Sequence, residues 1–101
     1  MPDVSGYSAT KGAIDSMTRS MAVEFAKYGI TINAIAPGFC ETSYANSFKK
    51  NKKLNNEIIN RIPMSRWGAK DEINGSLDFL ISKKSSYITG HILKVDGGWC
   101  S

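Results

Sequence analysis

Gly29-Ile30-Thr31-Ile32-Asn33-Ala34-Ile35-Ala36-Pro37-Gly38 is the stretch on which the fold turns. Residues 30–36 are β-branched at Ile30, Thr31, Ile32 and Ile35, are bounded by Gly29 and Pro37, and present no strongly polar face. A strand buried on both sides has that character. Pro37-Gly38 then stops it. A second short strand is expected over His91-Ile92-Leu93-Lys94-Val95, entered from Gly90 and left through Asp96-Gly97-Gly98. Between the two lies a helical pattern over 69–82, with Ile73, Leu77, Leu80 and Ile81 on one stripe. Asp71 and Glu72 fall in its first turn and Lys83 and Lys84 just past its end, both favourable to the helix dipole. Strands joined through a helical crossover pair in parallel. The fold class is therefore α/β.

Working outward, residues 6–28 read as a long helix, with Ser5 as N-cap and Gly29 as the residue that ends it. Ile14, Met17, Met21, Phe25 and Tyr28 form its apolar stripe. Ala13, Ser16, Ser20 and Val23 form a second small or apolar face, suited to a partner subunit. Residues 39–66 are the least regular part: Phe48, Leu54, Ile58, Ile59 and Ile62 suggest short amphipathic helices with lysines facing water. A connection this long is the kind used as a lid or binding loop. The order is helix, strand, lid, helix, strand.

Tyr7 and Lys11 stand one turn apart on the first helix, so they share a face. A nearby cation favours phenolate and lowers a tyrosine pKa, which makes Tyr7 usable as a general acid or base.

Composition bounds the rest. The chain has 101 residues, 42% hydrophobic and 22% charged, which is ordinary for one globular domain or less. No apolar run reaches the ~18 residues that span a bilayer. The first residues carry neither the basic region nor the apolar core of a signal peptide. Cys40 and Cys100 lack any metal or redox spacing, and His91 is the only histidine, so a multi-histidine metal centre is excluded. These features point to a reducing cytoplasm. The net charge of +4 is concentrated in Lys49, Lys50, Lys52 and Lys53. No aromatic residues interleave with them, so they read as a solvated face rather than a nucleic-acid platform.

With the elements placed, the chain resembles the short-chain dehydrogenase/reductase family over nearly its whole length. Four segments carry the likeness in order: Tyr7-Ser8-Ala9-Thr10-Lys11-Gly12-Ala13, the strand and turn Gly29 to Gly38, Pro63-Met64-Ser65-Arg66-Trp67-Gly68, and Tyr87 to Trp99. The resemblance implies the C-terminal part of a Rossmann-type doubly wound parallel sheet in a parent of roughly 250 residues. The whole of 1–101 would then belong to one NAD(P)-binding domain, with its lid at about 39–66. It implies Tyr7 as proton donor or acceptor at a carbonyl or alcohol oxygen, and Lys11 as the cation that lowers its pKa and bonds the nicotinamide ribose. Pro37-Gly38-Phe39-Cys40-Glu41-Thr42 resembles the family's Pro-Gly-x-x-x-Thr. There Pro37 and Gly38 form the turn beneath the nicotinamide, backbone at Cys40 holds the carboxamide, and Thr42 bonds the carboxamide or pyrophosphate.

The sequence departs from the family pattern at its front. It holds no Gly-x-x-x-Gly-x-Gly phosphate loop, no residue that chooses NAD or NADP, and no catalytic serine upstream of Tyr7. The implied activity is oxidation or reduction of a small CH–OH or ketone substrate by a homo-oligomer, with this segment inactive alone. The Arg66-Trp67-Gly68 segment and the tail look like reductases of sugar acids; a 3-oxoacyl carrier-protein reductase is the alternative. A non-catalytic interaction fragment is the reading of another class. Trp67 and Trp99 read as packing residues and His91 as structural.

Overall fold

A computed structural model describes residues 4–41 and 45–99, with the backbone alone for residues 4–8, 45, 47 and 48. Its elements are α1 (Val4–Phe25), a 3-10 turn (Ala26–Tyr28), β1 (Ala34–Pro37), α2 (Ala45–Lys50), α3 (Lys52–Arg61), α4 (Lys70–Ile81), a second 3-10 turn (Lys83–Ser85) and β2 (Ile92–Val95). The order matches the sequence reading. β1 and β2 pair in parallel, from Ala34 opposite Ile92 to Pro37 opposite Val95. α4 is the crossover between them and packs on both strands.

β1 is shorter than the expected 30–36, and the reason lies on the other side of the ladder. Gly90 takes φ 75°, which breaks the extended run of the partner strand. One backbone bond remains there, from Gly90 N–H to the Ile32 carbonyl at 2.8 Å, and side chains supply the rest: Ile32 N–H donates to Thr89 Oγ1 at 3.0 Å, Asn33 Nδ2 donates to the Ile88 carbonyl at 3.1 Å, and Asn33 Oδ1 accepts from His91 N–H at 3.0 Å. Regular pairing begins where Ala34 N–H meets the His91 carbonyl, at 2.9 Å, and its last donor is Gly38 N–H to Val95, at 3.0 Å. Donors alternate along a strand, so the N–H that Pro37 lacks would have pointed away from β2. A proline is thus tolerated inside the strand it was expected only to bound.

α1 ends as expected. Gly29 is left-handed at φ 75°. Its N–H reaches the Ala26 carbonyl at 3.0 Å, and Ile30 N–H reaches Phe25 at 3.4 Å, which is a Schellman closure. Ser5 is not an N-cap, because the helix already includes Val4. The apolar stripe also departs from expectation. Ile14, Met17 and Met21 are exposed, Met17 at 56%, and Val23 of the second face reaches 80%. Among the described side chains of α1, those of Thr18 and Ala22 are buried. Ala22 faces Gly90, where a Cβ would come within 3.4 Å of its methyl. Small residues let the helix approach there, and a two-stranded sheet is too narrow to cover the rest.

The buried core lies under the lid. Ile58 and Ile62 of α3 and its following turn pack with Trp67, against Phe39, Leu54, Ile59 and Trp99. Asn51 caps α3, its Oδ1 accepting from Leu54 N–H at 3.2 Å. Lys50, Lys52 and Lys53 face water as expected, whereas Lys49 is half-buried. α4 is capped at Ala69, whose N–H is held by Glu72 Oε1 at 2.9 Å. Of its expected stripe, Ile73 and Leu80 are half-buried, whereas Leu77 and Ile81 are exposed.

Candidate functional site

The site is built from two turns and one helix face. β1 ends in Pro37-Gly38, and β2 ends in Asp96-Gly97-Gly98, so both strands deliver their carboxyl ends to the same place. Gly38 lies directly on Asp96: a Cβ there would sit 2.7 Å from Asp96 Cβ and 2.8 Å from its Cα. Only glycine permits that approach. The second turn is fixed by Asp96 itself, whose Oδ1 accepts from Gly98 N–H at 3.0 Å and whose carbonyl accepts from Trp99 N–H at 3.1 Å. Gly97 and Gly98 supply positive φ of 61° and 92°.

Beside these turns opens a cleft of about 540 Å³. α1 lines it with Thr10, Lys11, Ile14 and Asp15, the β1 run with Ala34 to Phe39, and Ile92, Asp96 and Trp99 complete it. The carboxyl ends of the strands are where open α/β sheets place ligands. The volume suits a small organic ligand or one end of a cofactor.

Among the residues expected from the sequence, Lys11, Pro37 and Gly38 meet in this cleft. Tyr7 belongs to α1 one turn before Lys11, and its side chain lies outside the described residues, as does Thr42 entirely. Cys40 stands beyond the cleft lining, in a parallel bridge to Gly68. Gly68 N–H donates to the Phe39 carbonyl and Glu41 N–H to the Gly68 carbonyl, both at 2.8 Å. By strand alternation, the N–H and carbonyl of Cys40 itself point the opposite way. Burial, and then the Glu72 charge, push the Cys40 thiol above its ordinary pKa, which disfavours a reactive thiolate.

Asp15, Phe39 and Trp99 were not anticipated in the site. Asp15 follows Lys11 by four residues, so helical spacing alone would have found it. Trp99 has no local signal, because the glycine turn carries it there from β2.

The segment before α4 is locked by a two-pronged ion pair. Arg66 Nη1 and Nη2 reach Glu72 Oε1 and Oε2 at 2.6 and 2.8 Å. That pairing, with the Ala69 N–H, lowers the Glu72 pKa to about 2. Among the described residues no group of His, Cys, Asp and Glu could hold a metal ion. Among them, too, no helix is long and apolar enough to cross a membrane.

A parallel sheet with a helical crossover, a ligand cleft at its carboxyl ends and a lysine on the facing helix define a doubly wound, Rossmann-type α/β chain. A family model described as enoyl-(acyl carrier protein) reductase matches residues 1–100, and the chain belongs to the short-chain dehydrogenase/reductase family. It is 47% identical over 98 residues to 2-dehydro-3-deoxy-D-gluconate 5-dehydrogenase of Bacillus subtilis, covering 97% of this chain and 39% of that one. A gluconate 5-dehydrogenase from Burkholderia cenocepacia, solved with NADP and tartrate, superposes with a TM-score of 0.85 at 38% identity, over 93% of this chain and 37% of that one. A 4-hydroxyisoleucine dehydrogenase complexed with NADH gives 0.89 at 35% identity, over 94% and 39%. The chain thus spans about two-fifths of the length of the relatives it matches.

Proposed function

We propose that this chain is the substrate-facing, C-terminal part of an NAD(P)-dependent dehydrogenase that interconverts a secondary alcohol and a ketone on a small sugar acid. The observation that carries the reading is the meeting of Lys11 with Pro37-Gly38 in one cleft at the strand ends, on a helix that holds Tyr7 one turn earlier. The cleft suits the nicotinamide end of the cofactor, because it is about 540 Å³ in volume, is mostly apolar along the β1 run and carries the Lys11 ammonium. Lys11, Pro37, Gly38, the backbone of Cys40, Thr42 and Tyr7 would hold it. When bound, the cofactor accepts or supplies the hydride.

The chain's own residues manage the proton and the position. Charge builds on the substrate oxygen as the carbonyl is reduced, and Tyr7 protonates it; in the oxidative direction Tyr7 takes the alcohol proton. The Lys11 ammonium favours the phenolate and so brings the Tyr7 pKa towards neutrality. The lid, about 39–66, would close the substrate end, since long connections of this kind serve as binding loops. Its exposed Lys50, Lys52 and Lys53 suit an anionic substrate. Relatives named for gluconates support a sugar acid over the 3-oxoacyl carrier-protein alternative. The reading includes one domain over 1–101 within a longer cytoplasmic homo-oligomer.

The test uses the longest protein that carries this segment together with a glycine-rich phosphate loop. Nicotinamide absorbance is followed with gluconate and ketogluconate substrates and with a 3-oxoacyl thioester. Tyr7→Phe should lower kcat/KM by about 10²- to 10⁴-fold, the usual range for a lost acid–base group. Undiminished turnover in that variant removes Tyr7 from the mechanism, and a preference for the thioester would replace the substrate assignment.

A further inference from the structure

Trp67 stands where the lid meets the cleft wall. Its ring is buried, with 8% exposed. Its Nε1–H donates to Asn55 Oδ1 of α3 at 2.7 Å. Lys49 of α2 places Nζ 5.5 Å from its ring centroid, and Glu41 Oε1 holds that same ammonium at 2.8 Å. The Phe39 ring meets Trp67 edge to face, with centroids 5.7 Å apart. Phe39 meets Trp99 in the same manner at 4.9 Å. Phe39 and Trp99 both line the cleft, as does Lys11.

Each tie has a physical consequence. A half-exposed pair such as Glu41–Lys49 contributes little alone. Here it fixes an ammonium near the face of an indole, and the ring quadrupole attracts it. The buried indole N–H cannot turn away from Asn55 without losing its partner. Edge-to-face aromatic contacts in a packed interior have discrete arrangements, so a displaced ring moves its neighbour. Both lid helices are therefore tied to one ring, and that ring adjoins the cleft wall.

We propose that Trp67 is a positioning residue that couples α2 and α3 to the Phe39–Trp99 wall, so that the seating of the lid sets the width of the cleft. That the cleft receives a substrate rests on the function proposed above; the coupling itself does not.

Trp67 and Trp99 are the only tryptophans in the chain, so an ¹⁵N-labelled sample gives two indole N–H signals, assigned with Trp99→Phe. Lys49→Met and Asn55→Ala should each shift the Trp67 signal and, through Phe39, the Trp99 signal. Lys49→Arg should restore both, and Lys53→Met, on the exposed side of α3, should move neither. A Trp99 signal that stays put while the Trp67 signal moves overturns the coupling. Two wild-type signals at the free-indole position overturn it as well, since the packing would then not exist. The measurement needs neither cofactor nor substrate. Absence of turnover with the indole pattern intact would therefore count against the dehydrogenase reading alone. In a protein that turns over, Lys49→Met should raise KM several-fold with kcat nearly unchanged.

Discussion

Glu72 shows how one side chain joins two segments and a helix start. Its two oxygens accept from Arg66, and Oε1 also accepts the Ala69 N–H that α4 leaves unpaired. The hydrogen bonds from Arg66, then from Ala69, take its pKa from an ordinary 4.5 to about 2. A carboxylate depressed in the folded state stabilises it fully above the unfolded pKa and loses that contribution as pH falls through the folded value. Thermal midpoints followed by circular dichroism should therefore fall between pH 4.5 and about 2. Glu72→Gln should have a lower midpoint at neutral pH and a flatter acid limb in that window. A parallel acid limb in the variant would assign the loss to other carboxylates. At Gly38 the constraint is steric. Gly38→Ala would drive a Cβ to 2.7 Å from Asp96, against backbone as well as side chain. The expected cost is about 1–3 kcal/mol in urea unfolding, the range for an overpacked site. Unchanged stability would mean that the two turns separate easily.

At the scale of the element, the ending of α1 fixes its length. Gly29→Ala places a Cβ in a left-handed residue at φ 75°. This should cost about 1 kcal/mol and fray the Ala26–Tyr28 turn, read as faster amide exchange at Gly29 and Ile30. The sequence showed the end of this helix and the extent of α4 well, because Gly29 and the 3.6-residue spacing act locally, but it started α1 too late, with Ser5 as a cap. It overstated β1, because the break is set by Gly90, more than fifty residues further along. Lys11, Pro37 and Gly38, which the resemblance singled out for the cofactor, line one cleft. From sequence, Trp67 and Trp99 show only a packing role, because their contacts with Phe39 depend on three distant turns meeting. Burial on α1 was the plainest failure of periodicity. The apolar stripe exists, yet Met17 and Ile14 stay in water, since periodicity states which face is apolar and not what covers it.

At the scale of the whole molecule, the chain exposes more surface than its size requires. Its accessible area is 7606 Å², against roughly 5,700 Å² for a compact chain of this mass. Its radius of gyration is 15.8 Å, against about 13 Å for a compact domain. Among the described residues the buried apolar side chains are Ala22, Ile58, Ile62 and Trp67, three of them in the lid cluster and one under α1. Such a core ties the lid to the strand ends through Phe39 and Trp99 but leaves α1 with little buried surface, so α1 and the lid cluster should not unfold together. The 101-residue chain alone should therefore melt over a broad range, bind a hydrophobic dye at the exposed face of α1, and show a sedimentation coefficient that rises with concentration. It should also give no nicotinamide turnover, because the sequence holds no glycine-rich loop to seat a pyrophosphate. A single sharp transition would show that the lid core and α1 are coupled more strongly than their contacts suggest. Robust turnover by the same sample would show that Lys11, Tyr7 and the Pro37-Gly38 turn hold a cofactor without a phosphate cradle.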